Sequence, residues 1–73
     1  MKNDKPSLLK RAANAGRTPD EQIHMEDISF QMGYKYCTIE IAKGDKNNYV
    51  HQRFLAGQEL GRRILRNQGK LFA

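Results

Sequence analysis

The strongest constraint on the fold is the periodicity of residues 45–68. At about 100° per residue, Val50, Phe54, Gly57, Leu60, Gly61, Ile64 and Leu65 fall in one stripe about 140° wide. Gln52, Glu59, Arg62, Arg63 and Arg66 fall opposite. This pattern predicts an amphipathic helix, capped by Asp45 or Asn48 and ended after Gln68 by Gly69. Arg53 falls inside the apolar stripe, where its stem can be buried while its head reaches water. Gly57 and Gly61 each cost a helix about 1 kcal/mol against alanine. Their presence in the apolar stripe therefore implies a close approach by another backbone, and Gly57-x-x-x-Gly61 is a spacing through which helix pairs meet.

Two further helices are expected upstream. Asp4 or Ser7 can cap a short one, with Leu8, Leu9 and Ala12 as its apolar stripe, Lys10 and Arg11 outward, and Gly16 at its end. Thr18-Pro19-Asp20-Glu21 is a stronger start. Thr18 is a good cap, Pro19 suits the first helical position, and Glu21 can close a capping box. The helix that follows carries Ile23, Ile28 and Met32 inward and stops at Gly33. Residues 34–42 read two ways. With period two, Cys37, Ile39 and Ile41 line one face of a strand; with period 3.6, Ile39 and Ala42 face inward from a short helix. Gly44-Asp45 closes the segment in either case.

The chain has 73 residues and a net charge of +5. Residues 1–17 hold five Lys/Arg and one acid, residues 18–42 one Lys and five acids, and residues 43–73 seven Lys/Arg and two acids. The segment charges are therefore +4, −4 and +5. Basic ends attract polyanions such as nucleic acid, an anionic membrane surface or an acidic protein. A single cysteine, Cys37, makes no internal disulfide and points to a reducing, cytoplasmic compartment. The charged start, Met1–Pro6, is followed by no apolar run, so neither a secretory signal nor a membrane span is expected. His24 and His51 lack metal-ligand spacing, and no carboxylate pair or phosphate loop stands out. The expectation is a non-enzyme with no cofactor and no metal.

Residues 28–44 resemble the helix-turn-helix of phage repressors of the Cro type. Ser29 stands where that family has a small residue in the first helix, Gly33 where a glycine opens the turn, and Ile39 where an Ile or Val is buried. Ile28, Met32 and Tyr34 occupy apolar positions of the motif, and Ala42 a small or apolar one. The resemblance implies that Lys35, Tyr36, Cys37, Thr38 and Ile41 point towards DNA. Thr38 would then lie near the start of a recognition helix. Lys43, Lys46, Arg53, Arg62, Arg63 and Arg66 would neutralise phosphates.

The expected architecture is thus mainly α, a compact small helical domain with a helix-turn-helix. The alternative is α+β, helix–strand–helix with residues 34–42 as the strand. The single domain would have a basic, mobile segment at 1–17, a folded core at 18–68 and a tail at 69–73. The expected function is a small DNA-binding regulatory protein in the style of phages or mobile elements. Double-stranded DNA would be its partner, and a homodimer would form through the glycine-bearing final helix. The alternative is a protein-binding inhibitor or adaptor that presents its amphipathic C-terminal helix to an acidic partner.

Overall fold

Ser7 starts the first helix, because its side chain accepts a hydrogen bond from the Lys10 backbone N–H. The computed structural model describes residues 6–72, with side chains through Gly69; Asp4, the other candidate cap, lies outside them. Helix α1 spans Leu8–Asn14, α2 Pro19–Lys35 and α3 Tyr49–Phe72. No strand occurs among the described residues. The protein is mainly α.

The capping box of α2 forms as its sequence dictates. Thr18 Oγ1 accepts from the Glu21 N–H at 3.2 Å, and the Glu21 carboxylate accepts from the Thr18 N–H at 2.8 Å. The bond from the Thr18 backbone, helped by the Thr18 hydroxyl and by Arg17, holds the Glu21 carboxyl below its usual range. This contribution is therefore present above ordinary carboxylate pKa values and fades as the pH falls through the lowered one.

Helices α2 and α3 meet through glycine. A Cβ on Gly57 would overlap the Phe30 carbonyl oxygen and stand 2.9 Å from the Tyr34 nitrogen. A Cβ on Gly33 would overlap the Phe54 carbonyl oxygen, and one on Gly61 would stand 2.7 Å from Cys37 Cβ. With hydrogen alone at these positions, the backbones come close enough for Cα–H···O contacts. Ser29 fits the same seam, donating its hydroxyl to the Val50 carbonyl. The register climbs together along both helices, from Ser29 at Val50 to Cys37 at Gly61. The pair is therefore parallel, and residues 36–48 must carry the chain back.

That return is neither the helix nor the strand expected. Tyr34 and Lys35 complete α2, residues 36–38 turn, and residues 40–45 are irregular. Side chains of α3 hold this segment by its carbonyls. Gln58 donates to Tyr36 and Ile39, Arg62 to Cys37 and Ile39, and Gln52 to Lys43 and Asp45. His51 Nε2 lies 2.7 Å from the Ala42 carbonyl oxygen. Carbonyls engaged in this way are unavailable to a helical ladder, and the β-branched Thr38, Ile39 and Ile41 favour helix little. Gly44 turns the chain with φ 67°, and Asn48 then caps α3 through the His51 N–H.

Helix α1 docks by charge rather than by an apolar stripe. Arg11 points inward: its Nε and one terminal nitrogen donate to the two Glu26 oxygens at 2.9 and 3.2 Å. Its remaining terminal nitrogen donates to the Pro6 carbonyl. Gln22, 2% exposed, donates to Glu26 at 2.8 Å and accepts from Arg17 at 3.0 Å. Leu9, expected inside, is 69% exposed, and Ala12 alone of the expected stripe is buried. Residues 8–14 thus join the fold, whereas the expected core began at residue 18.

Three other expectations change. Gly33 does not stop α2, because it sits at the crossing with helical rather than left-handed φ. Gly69 does not stop α3 either; the helix continues to Phe72 in place of the expected tail. Ile23, Ile28 and Met32 are 42–45% exposed, because the inward face of α2 carries Gln22, Glu26 and Gly33.

The glycine seam makes a paired prediction. Gly57→Ala or Gly33→Ala should lower stability by about 3 kcal/mol, since backbone carbonyls cannot step aside. Gly69→Ala, where nothing lies within 4 Å, should raise it by up to about 1 kcal/mol. Thermal melts of the three variants would test both signs. Arg11→Ala removes both guanidinium hydrogen bonds from the buried Glu26 carboxylate. It should cost about 3 kcal/mol in urea melts, against almost nothing for Lys10→Ala on the solvent side.

Candidate nucleic-acid interface

Of the eleven expected DNA contacts, Cys37 is buried and Arg53 occupied, while Lys35 and Tyr36 touch each other and stay exposed. Cys37 is buried at 8% exposure under Gly61, so it faces α3 and no groove. The Arg53 guanidinium lies 4.6 Å from the Phe30 ring centroid, and the Lys35 ammonium 5.4 Å from that of Tyr36. Tyr36 itself caps α2, with its carbonyl held by Gln58. Thr38 is exposed but lies in a turn, not at the start of a helix. Ile39, expected to be buried by the motif, is 48% exposed. Ser29 and Gly33 do support a close helix crossing, yet their partner is α3 rather than a recognition helix at 36–43. Residues 36–44 therefore form no second helix after α2.

Three of the remaining cations converge beside α3. Lys43, Arg62 and Arg66 line one shallow depression of about 420 Å³ with Ile41, Leu55, Gln58 and Glu59. Arg62 does two jobs there. Its Nε holds the Cys37 carbonyl at 2.6 Å, and its terminal nitrogen reaches the Ile39 carbonyl at 3.3 Å. The bonds fix its direction without cancelling its charge. Arg66 has no carboxylate in ion-pair range among the described residues, and Arg63 has only Glu59, 3.9 Å away with both side chains about 60% exposed. Such a pair is worth little in water. Lys46 is exposed in the turn before α3. The depression therefore sets a tethered Arg62, with Lys43 and Arg66, beside Ile41 and Leu55, and the Glu59 carboxylate shares its lining.

A second cleft had no sequence signal. It encloses about 550 Å³ between α1 and the start of α3, lined by Arg11, Asn14, Arg17, Gln22, Asn47, Asn48 and Tyr49 among others. Arg11 also lies 5.8 Å from the Tyr49 ring centroid. These residues are distant in sequence, and only the inward turn of Arg11 brings them together. No group of His, Cys, Asp and Glu able to hold a metal ion occurs among the described residues. The apolar and glycine stripe of α3 lies against α2. It is covered as far as Gly61, whereas Leu65 beyond that point is 47% exposed. No helix among the described residues is long and apolar enough to cross a membrane.

The tether has its own test. Arg62→Ala should speed hydrogen exchange across residues 37–43 severalfold, because it frees two carbonyl contacts. Arg66→Ala, which holds no backbone, should leave exchange there unchanged.

Comparison with protein-family models, with curated proteins and with solved structures finds no match to this chain.

Proposed function

We propose that this is a small DNA-binding protein that grips the phosphate backbone with the outer face of α3, without a base-reading helix. The observation that carries the reading is the convergence of Lys43, Arg62 and Arg66 on one depression, with Arg63 and Lys46 exposed on the same basic segment. Elsewhere Arg11 is engaged by Glu26 and Arg53 by the Phe30 ring. The Arg62 guanidinium, already oriented by its two carbonyl bonds, loses little freedom on meeting a phosphate, and each neutralised phosphate releases counterions. Phosphate contacts position a protein on DNA but carry no sequence information. Binding is accordingly tolerant of sequence.

An acidic protein is the second partner this face fits. Ile41 and Leu55 line the same depression, and a peptide can cover apolar groups that a phosphate backbone leaves exposed.

A mobility-shift titration on several unrelated duplexes, at two salt concentrations, separates the readings. For about three phosphates neutralised, log K should fall with log salt at a slope near −3, alike for all duplexes. Lys43→Ala and Arg66→Ala should each reduce that slope by about 1. An absence of binding at low salt would overturn the DNA reading and leave the acidic protein.

A further inference from the structure

We propose that α2 carries a self-association surface whose occupant is a second copy of this chain, docked antiparallel across Ile28. Met25, Ile28 and Met32 recur at spacings of three and four, so they lie on one stripe of the helix. They are 38%, 42% and 42% exposed, although α2 already buries its glycine face against α3. Few apolar side chains are buried elsewhere: Ala12 and Cys37 are the hydrophobic residues buried among those described. A chain this short gains most from covering further apolar surface with another subunit.

Charge on the same stripe selects the partner and its direction. Glu21 lies seven residues before Ile28, and Lys35 seven after it. Two turns of helix on either side amount to about 10.5 Å each way. A two-fold axis at Ile28 therefore sets Glu21 of each copy level with Lys35 of the other. It also brings each Met25 to within about one residue's rise of the opposite Met32. A parallel pairing would set Glu21 against Glu21 and Lys35 against Lys35. The stripe is thus complementary to itself in one orientation and repulsive in the other. Both charged side chains are exposed, so their existing contacts, Thr18 for Glu21 and the Tyr36 ring for Lys35, leave room for a partner.

The test is sedimentation equilibrium of the full chain without DNA, which keeps it independent of the DNA reading. The wild type should show a reversible dimer. Ile28→Glu should be monomeric while keeping its helical circular dichroism, because position 28 is not part of the seam with α3. Lys35→Glu and Glu21→Lys should each weaken the dimer at least about tenfold, and an equimolar mixture of the two should restore it as a mixed dimer. Glu21→Lys also removes the capping bond. Glu21→Gln keeps an acceptor for that bond and should give an intermediate loss, and the Lys35→Glu arm stands whether or not Glu21→Lys folds. A wild type that stays monomeric at millimolar concentration assigns the stripe to another partner and overturns the proposal. So does a dimer indifferent to Ile28→Glu, or a mixture no tighter than either variant alone.

Discussion

The approach of two backbones at Gly33, Gly57 and Gly61 governs the rest of the molecule. Because the crossing is parallel, the chain leaving α2 must travel back before α3 can begin, and residues 36–48 exist to do so. Because the helices touch through backbone rather than through large side chains, little apolar volume is enclosed between them. Stability that a larger domain would draw from Leu and Ile must come here from close packing of main-chain atoms and from satisfied polar groups. Three glycines, each unfavourable in an isolated helix, are consistent with one another once the two helices meet.

The polar groups form two systems, one on each flank of the seam. On one, Arg11, Glu26, Gln22 and Arg17 attach α1 to α2. On the other, His51, Gln52, Gln58 and Arg62 of α3 engage carbonyls of the returning chain. The second system stands in for the regular hydrogen bonding that residues 36–48 lack, since each backbone oxygen outside a helix or sheet takes its donor from a side chain or water. It also links fold to proposed function. The segment it holds brings Ile41 and Lys43 to α3, and the same tether fixes the Arg62 guanidinium beside Arg66. Gln58, 2% exposed, is the most deeply placed of these donors.

The elements with strong local signals were legible in the sequence. Thr18-Pro19-Asp20-Glu21 specifies a helix start by itself, because both capping bonds close within one turn. The amphipathic pattern of α3 was legible for the same reason of short range, and the glycines within it announced a close neighbour through their cost. The inward turn of Arg11 was not legible, because its reason is Glu26, fifteen residues away and on another helix. Residues 34–42 satisfied two periodicities about equally. The deciding term was a set of α3 side chains that no local window contains. The helix-turn-helix resemblance drew on Ser29 and Gly33, which do serve a close crossing, but residue types alone do not say which helix crosses there. Of the expected contacts, Lys43, Arg62 and Arg66 converge, whereas Cys37 is buried, because its position depends on the Gly61 seam.

The sequence by itself determined that this chain is mainly helical, where its long helices begin, and that its C-terminal segment is basic. Caps, periodicity and composition act over a few residues, so the chain carries them into any tertiary arrangement. Only the tertiary structure decided which face of α2 is buried, which arginines are engaged, and that residues 36–42 take up no regular conformation. Those outcomes depend on which backbones come into contact. That contact is made by glycines, whose missing side chains leave no pattern of their own to show what they meet.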